Sequence, residues 1–172
     1  FPYIHLKGMK GSGKSTCLDF VTLTAFNACK DIATFSSMRD KIDEQRATFL
    51  IDQADHKLGE HSDGEMLNAI IGSYKQSGGR ITKSVEIKRR HQNVDFDAYS
   101  PKGFASVREL HHDLRDRCIQ FCFYRSKTNL LFLKEESEIW IQIRNMLYNL
   151  LFKEFVVMGQ IYVELQAKYQ DD

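Results

Sequence analysis

The 172-residue chain has no regular cysteine framework and no long apolar run. Its four cysteines, Cys17, Cys29, Cys118 and Cys122, include no Cys-x-x-Cys pair, so a disulfide scaffold is not expected. Reduced thiols in a cytosolic setting fit this pattern better than disulfide bonds do. No apolar run approaches the roughly 20 residues that span a bilayer, and no charged-then-apolar signal pattern opens the chain. These absences predict a soluble protein without a membrane partner.

A strong excess of charge of one sign is also missing. The formal net charge is +1, so binding to nucleic acid would require a local basic patch. Two prolines and 42% hydrophobic residues are typical of a folded globular protein rather than a disordered one. The chain begins at Phe1 rather than Met, with a buried strand predicted almost at once, and we expect it to be a segment of a longer protein.

Apolar runs typical of strands alternate with segments of helical spacing. Helices are predicted from Lys14 to about Cys29 and from Gly64 to Tyr74. Strands are predicted at Pro2–Leu6, Ala47–Ile51, Ile81–Lys88, Val94–Tyr99 and Ile119–Tyr124. This alternation predicts an α/β fold with a parallel sheet covered on both faces. From residue 136 to 169 the spacing is helical throughout, so we expect a core over residues 1–130 and a small helical lid subdomain over 131–172.

A glycine-rich stretch between the first strand and the first helix predicts a nucleotide site. It fits G-x-x-x-x-G-K-[ST] at every fixed position, and the residues expected to bind the nucleotide are Gly8, Gly11, Ser12, Gly13, Lys14, Ser15 and Thr16. Glycines let the loop turn its backbone N–H groups toward phosphate oxygens at the start of a helix. Lys14 would reach the β- and γ-phosphates and the Ser15 hydroxyl would hold Mg²⁺. The predicted cofactors are therefore ATP and Mg²⁺.

The predicted strand Ala47–Ile51 ends at a carboxylate, Asp52. A buried strand can deliver such a carboxylate to the metal ion beside a P-loop, so Asp52 is predicted to bind Mg²⁺ directly or through water.

The residue after this aspartate is Gln53. Hydrolytic P-loop proteins usually carry a glutamate there, and a carboxamide can orient a water molecule but cannot accept its proton. Three explanations stay open: a deliberate change from glutamate that traps bound nucleotide, a natural loss of hydrolysis, or transfer of the role to Asp55.

Three blocks of the sequence resemble the AAA+ helicase-like modules of phage and plasmid primase-helicases. The resemblance covers about Tyr3 to Arg125 and lies in GMKGSGKST, ATFLIDQAD and FDAYSPKGFASVRELHHDLRDRCIQFCFYR. It implies a P-loop NTPase three-layer sandwich of AAA+ type, an ATPase that forms homo-oligomeric rings and acts in DNA replication as a helicase. It also implies a bacterial, archaeal, phage or plasmid origin.

The third block of this resemblance implies further catalytic residues. Ser100 matches the polar residue that senses the γ-phosphate at the end of the strand beside the Mg²⁺ strand, with Lys102 in support. Arg117, or else Arg115, matches the arginine that reaches into the nucleotide site of a neighbouring subunit and stabilises the charge that develops on the transferred phosphoryl group.

Basic residues cluster in one predicted hairpin. They are Arg80, Lys83, Lys88, Arg89 and Arg90, and we expect either a positive hairpin that contacts the phosphates of DNA or a solvated sheet edge that the charges protect. Both readings stay open.

Three functions remain at this point. The first is an ATPase that remodels or translocates DNA. The second is a nucleotide-binding switch or loader with little hydrolysis, which Gln53 would explain. The third is a P-loop kinase for a small molecule, against which the segments 52–55 and 100–117 argue.

Overall fold

The fold was derived from a computed structural model that describes residues 3–31, 34–62, 64–87, 90–127, 134 and 136–169. The chain divides into two compact units, Phe1–Leu133 and Lys134–Asp172. Lys88 and Arg89, two of the basic residues singled out above, lie outside the described residues.

A five-stranded parallel sheet forms the centre of the first unit. Its strand order is β2-β3-β6-β1-β7, where the strands are β1 (Tyr3–Gly8), β2 (Cys29–Lys30), β3 (Phe49–Ile51), β6 (Lys102–Ser106) and β7 (Cys118–Phe123). The expected α/β fold with a parallel sheet is confirmed, and it is compatible with a P-loop NTPase-like fold. β6 lies between β1 and β3, so the strand of the P-loop and the strand that ends at Asp52 are not direct neighbours.

Helices cover both faces of this sheet. They are α1 (Lys14–Thr24), α2 (Phe35–Gln45), α3 (Asp55–Leu58), α4 (Glu65–Gly72) and α5 (His112–Arg115), with a 3₁₀ turn at Gln76–Gly78. Successive side chains of a strand point to opposite faces. Leu50 accordingly packs in a cluster with Leu18 of α1. Its neighbours Phe49 and Ile51 pack on the other face in a larger cluster with residues of α2, α4 and α5.

The remaining two strands form a hairpin outside the main sheet. β4 (Arg80–Ile87) and β5 (Arg90–Asp97) pair antiparallel over their whole length, from Arg80 opposite Asp97 to Ile87 opposite Arg90. The expectation that residues 94–99 belong to the parallel sheet is therefore wrong. The fourth strand of the core is β6, which begins at Lys102 and which the sequence pattern did not indicate.

The helix α2 was also missed, although its ends carry clear signals. The Thr34 hydroxyl accepts a hydrogen bond from the Ser37 backbone N–H at 3.2 Å, as an N-cap residue does. At the other end Arg46 takes a left-handed φ of 52°, a position that glycine usually occupies. A charged residue at this position hid the end of the helix from the sequence pattern.

The second unit contains α6 (Ile139–Tyr169), a single helix of 31 residues. It continues through Gly159 without interruption. The Trp140 ring N–H donates to the Lys134 carbonyl at 2.7 Å just before the helix. Many of its large apolar side chains are exposed, yet none of the helices in the described part of the chain is long and apolar enough to cross a membrane.

Lys102 is an unusual member of the core because its side chain is buried at the start of β6. Its amine donates to the Ala98 carbonyl at 2.8 Å and lies 5.1 Å from the centre of the Tyr3 ring. Burial away from water lowers the pKa of Lys102 to about 7, although the Asp97 carboxylate acts in the opposite direction. The folded protein thus holds a neutral amine here above neutral pH.

This burial predicts a pH-dependent stability. Between the folded pKa near 7 and the unfolded value of 10.5, the unfolded state binds more protons, so the free energy of unfolding rises with pH. The quantity to compare is the free energy of unfolding of the unsubstituted chain minus that of Lys102→Met. We expect this signed difference to increase from pH 7 to pH 8.5, by at most about 1.4 kcal/mol per pH unit. Urea unfolding at several pH values measures it. A difference that stays constant or falls would show that the amine remains charged in the folded state.

Candidate nucleotide site

The loop between β1 and α1 has the backbone geometry of an anion-binding turn. Gly11 and Gly13 adopt φ values of 76° and 90°, in the left-handed region that glycine enters without strain. Gly13 is the N-cap residue of α1 and offers no side chain to the first N–H groups of the helix. The start of this helix therefore presents backbone donors, and its dipole adds positive potential.

Lys14 folds back over this loop. Its side chain is 7% exposed, and the amine donates to the carbonyls of Gly8 and Met9 at 2.8 Å each, with the Ser12 hydroxyl at 3.5 Å. Among the described residues, no carboxylate forms an ion pair with this amine. Phosphate oxygens placed within the loop would supply a counter-charge.

Gly8 allows the loop to begin close to the neighbouring strand. A Cβ atom on Gly8 would lie 2.3 Å from the carbonyl oxygen and 2.9 Å from the Cβ of Phe123 in β7. Neither the carbonyl nor the Cβ can move without shifting the strand. This first glycine of the motif is therefore required by packing against β7, whereas Gly11 and Gly13 are required by their backbone angles.

One cavity brings the P-loop and the end of β3 together. It has a volume of about 330 Å³ and is lined by Lys10, Gly11, Lys14, Ser15, Asp52, Gln53, Asp55, His56, Ala105, Ser106 and Val107. The sequence-predicted metal ligands Ser15 and Asp52 both lie on this cavity. A hydroxyl and a carboxylate are oxygen ligands of the kind that Mg²⁺ prefers, and Mg²⁺ usually keeps several waters as well. These residues fit a Mg²⁺ ion bound to a nucleotide.

Asp52 is held in place by a residue that the sequence did not single out. The Asp31 carboxylate, just after β2, accepts from the Asp52 backbone N–H at 2.8 Å. The Asp52 carboxylate in turn accepts from the Gln53 N–H at 2.8 Å. Because β2 and β3 are parallel neighbours, their carboxyl ends meet at one edge, and that adjacency becomes visible only once the sheet order is known.

Gln53 has a left-handed backbone, with φ of 50°, and its side chain is exposed at the cavity. Such a φ is uncommon for a residue other than glycine and marks a constrained position. Asp55 lines the same cavity at the start of α3 and is the carboxylate that could accept a proton in place of Gln53. Its Oδ2 atom lies 3.4 Å from the Arg108 backbone nitrogen.

Ser106 is a cavity residue that the sequence analysis missed. It ends β6, between the strand of the P-loop and the strand of Asp52, and it is 1% exposed. The Ser106 hydroxyl donates to the Arg108 carbonyl at 2.7 Å and lies 2.7 Å from Nε2 of His5 in β1. The sequence gives little sign of this strand, because the run Lys102–Ser106 is five residues long and contains a lysine and a glycine.

Ser100 does not lie where the resemblance implied. The expected position was the carboxyl end of the strand beside the Mg²⁺ strand, but Ser100 precedes β6 and so lies at its amino end. All five strands of the sheet are parallel, and the P-loop follows the carboxyl end of β1. Ser100 and Lys102 therefore lie at the opposite edge of the sheet from the nucleotide cavity, and that expected position is wrong. Ser106 occupies it instead.

The two arginines suggested for a neighbouring subunit both make contacts within this chain. Arg117 precedes β7, and its guanidinium donates to the Asp113 carbonyl and lies 6.0 Å from the centre of the Tyr74 ring. Arg115 is 43% exposed and lies 4.0 Å from the Glu109 carboxylate. Neither is among the residues that line the cavity, so a catalytic role for either arginine stays a prediction that concerns a second subunit.

Among the described residues, the predicted basic residues of the hairpin are Arg80, Lys83 and Arg90. Arg80 lies opposite Asp97 at the base, and Lys83 contacts Glu65 at 3.3 Å. Arg90 opens β5 at the far end of the hairpin. Lys83 is therefore paired with an acidic side chain, whereas the Asp97 carboxylate opposite Arg80 forms its ion pair with Arg46.

Similarity to known proteins was found among solved structures. No family model matches the chain, and no curated protein matches it. Among solved structures, a crystal structure of JCV helicase bound to a phenoxyphenyl acetamide compound is similar to the chain with a TM-score of 0.41 and 13% sequence identity. The match covers 73% of this chain and 36% of that helicase chain. At this level of similarity, neither the fold nor the activity of that protein is transferred to this one.

The contact of Gly8 with β7 predicts a position-specific cost of adding a methyl group. Gly8→Ala should lower the free energy of unfolding by about 1–3 kcal/mol, because the added Cβ overlaps backbone atoms of Phe123. The control is Gly159→Ala, since a Cβ there meets nothing within 4 Å and alanine is a better helix former than glycine inside α6. Chemical denaturation of both variants measures the effect. Equal unfolding free energies would contradict the close approach of the loop to β7.

Proposed function

We propose that this chain is the ATP-binding module of an AAA+ type P-loop ATPase, which uses ATP to drive remodelling or translocation of DNA in a helicase-like ring. The observation that carries the proposal is that Lys14, Ser15 and Asp52 line one cavity. The first two follow β1 and Asp52 follows β3, and these strands are not neighbours in the sheet. Gly11 and Gly13, with left-handed backbones, support it by opening the loop toward phosphate oxygens.

Each part of this site has a separate task in phosphoryl transfer. The N–H groups at the start of α1 would bind phosphate oxygens, and the Lys14 amine would exchange the Gly8 and Met9 carbonyls for them. Ser15 and Asp52 would hold the metal ion, which neutralises charge on the β- and γ-phosphates when it is bound. Catalysis of this kind depends on positioning and electrostatic stabilisation rather than on a covalent intermediate.

Ser106 replaces Ser100 in this proposal as the residue that contacts the γ-phosphate. Its hydroxyl lines the cavity and ends the strand between β1 and β3. A hydroxyl at this position can donate a hydrogen bond to a terminal phosphate oxygen that is present in ATP and absent in ADP.

Gln53 is the residue that limits the rate of ATP hydrolysis in the proposed reaction. Hydrolysis adds water to the γ-phosphorus, breaks its bond to the β,γ-bridging oxygen and requires a group that takes the proton of the water. A carboxamide cannot take that proton. Asp55, which lines the same cavity, is the candidate for a slower reaction.

Placing a carboxylate at position 53 should therefore raise the rate of ATP hydrolysis. Gln53→Glu is expected to hydrolyse ATP about 10²–10⁴ times faster than the unsubstituted chain, the range that general-base catalysis supplies. Phosphate release is measured at protein concentrations high enough for assembly. Adding Asp52→Asn to the Gln53→Glu chain provides the control, because the gain should disappear when the metal ligand is lost. A Gln53→Glu chain that binds ATP without faster turnover would contradict the assignment.

A nucleotide-dependent switch is the second candidate, and Gln53 is the observation that favours it. In that case ATP binding rather than hydrolysis would change how the chain interacts with its partner. The signature is tight ATP binding with no turnover in either the unsubstituted chain or the Gln53→Glu variant, even when assembled. Such a result would replace the motor with the switch while leaving the nucleotide site unchanged.

The DNA part of the proposal depends on the hairpin of β4 and β5. Lys83 is paired with Glu65, and the Asp97 carboxylate pairs with Arg46. Where β4 gives way to β5, the sequence has three consecutive basic residues, Lys88, Arg89 and Arg90. Such a run of positive charge suits the phosphates of a single strand without reading its bases.

The basic run of residues 88–90 should determine how strongly DNA binding depends on salt. Replacing Lys88, Arg89 and Arg90 by alanine is expected to weaken binding to single-stranded DNA and to reduce the slope of log K against log salt by about 2. Fluorescence anisotropy at several salt concentrations measures both quantities. The matched control removes three exposed lysines elsewhere, Lys41, Lys75 and Lys127, and should leave the slope unchanged. Equal losses in both triple variants would mean that net charge rather than the hairpin binds DNA.

A further inference from the structure

His5 is a fully buried polar residue in the strand that leads into the P-loop. It is 0% exposed in the middle of β1, opposite Phe104 of β6 and Gln120 of β7. An apolar residue would serve a purely structural role at such a position more simply, since a buried polar group costs free energy unless it is hydrogen-bonded. Its contact is the Ser106 hydroxyl, at 2.7 Å from Nε2.

The hydrogen bonds around Ser106 define the tautomer of His5. A hydroxyl has one proton, and the 2.7 Å contact from Ser106 Oγ to the Arg108 carbonyl oxygen requires it, because a carbonyl only accepts. The proton between Ser106 and His5 must then come from Nε2 of the imidazole. Nδ1 is left as a buried acceptor without a hydrogen-bond partner among the described residues.

The surroundings keep this imidazole neutral. Burial away from water lowers the pKa of His5 to about 4, and this effect outweighs the nearby Glu109 and Asp55 carboxylates, while Lys7 lowers the pKa further. A neutral ring with its proton on Nε2 can only donate to Ser106. In this tautomer Ser106 cannot give its own proton to His5, so that proton goes to another acceptor.

The Ser106 proton has two possible acceptors. One is the Arg108 carbonyl, and the other is an oxygen of a terminal phosphate in the cavity that Ser106 lines. Donation to a phosphate therefore releases the Arg108 carbonyl. The N–H of Arg108 is 3.4 Å from Asp55, another cavity residue, so both polar groups of this one residue depend on the nucleotide cavity.

The released segment is connected to charged residues farther from the cavity. Glu109 forms an ion pair with Lys7 of β1 and lies 4.0 Å from Arg115 at the end of α5. The hydrogen bond from Lys7 lowers the pKa of the Glu109 carboxyl, which favours the charged carboxylate. The residue after Arg108 is thus the one that links this loop to β1 and to the end of α5.

We propose that His5 is a positioning residue that keeps the Ser106 hydroxyl a donor, so that Ser106 exchanges the Arg108 carbonyl for the terminal phosphate and transmits the nucleotide state to residues 108–115. This inference rests on the proposed nucleotide site and deepens it, since it names how the bound triphosphate is distinguished from the diphosphate. The bistable element is the single hydroxyl proton of Ser106.

The test compares the affinities of the chain for a non-hydrolysable ATP analogue and for ADP, both with Mg²⁺. Ser106→Ala should reduce the ratio of the two affinities by roughly tenfold or more, the value of one hydrogen bond to a charged group. His5→Met fills a similar volume without a donor and should reduce the ratio by roughly threefold to tenfold. His5→Gln places an N–H near the position of Nε2 and should restore most of the preference.

Two further measurements separate positioning from a structural effect. In the unsubstituted chain, ¹⁵N NMR of the imidazole should show the neutral form with its proton on Nε2 at pH 7. Hydrogen exchange across residues 107–115 should differ between the ATP analogue and ADP, and the difference should be lost in Ser106→Ala and in His5→Met. The NMR measurement stands even if the methionine variant fails to fold.

The outcomes distinguish this inference from the proposed function. An unsubstituted chain that binds neither nucleotide would overturn both. If the nucleotides bind with Mg²⁺ but His5→Met keeps the full preference for the triphosphate, or if the proton lies on Nδ1, the relay is wrong while the nucleotide site stands. Reduced preference in the methionine variant, restored in the glutamine variant, is the result expected from the relay.

Discussion

The turn between β1 and α1 closes because three glycines occupy positions that other residues would strain or block. Gly11 and Gly13 take left-handed backbone angles, and Gly8 lies against the backbone of Phe123. With the turn closed, Gly11 of the loop and Lys14 and Ser15 at the start of α1 line one cavity. The rest of the site depends on this turn, since Asp52 and Ser106 contribute only where their strands reach the same edge of the sheet.

Parallel pairing provides that common edge. Because β2, β3, β6 and β1 run in the same direction, their carboxyl ends meet, and each end supplies one polar group: Asp31, Asp52, Ser106 and the P-loop. A hydrogen bond then connects Ser106 to the carbonyl of Arg108 in the loop after β6, and the Arg108 backbone nitrogen lies 3.4 Å from the Asp55 carboxylate. A nucleotide placed at this edge would contact residues from several strands at once, which is how a local ligand comes to influence a larger part of the fold.

The sequence was informative where chemistry is local and less so where it depends on strand order. The P-loop and Asp52 could be predicted because their residue types and spacing carry the motif by themselves, and the structure brings both to one cavity. Ser100 was misplaced because the alternating residues before it fit a strand of the sheet, whereas they pair with β4 in a hairpin. Ser106 was missed because β6 is five residues long and includes a lysine and a glycine, so its buried character depends on neighbours from distant parts of the chain.

Binding of Mg²⁺–ATP is the central claim, and isothermal titration calorimetry tests it most directly. Titration of ATP into the chain with Mg²⁺ should show saturable binding at one site per chain, weaker binding when Mg²⁺ is chelated, and loss of binding in Lys14→Ala. Circular dichroism would check that the variant remains folded. The absence of binding by the unsubstituted chain, or equal binding by a folded Lys14→Ala chain, would contradict a nucleotide site at the turn between β1 and α1.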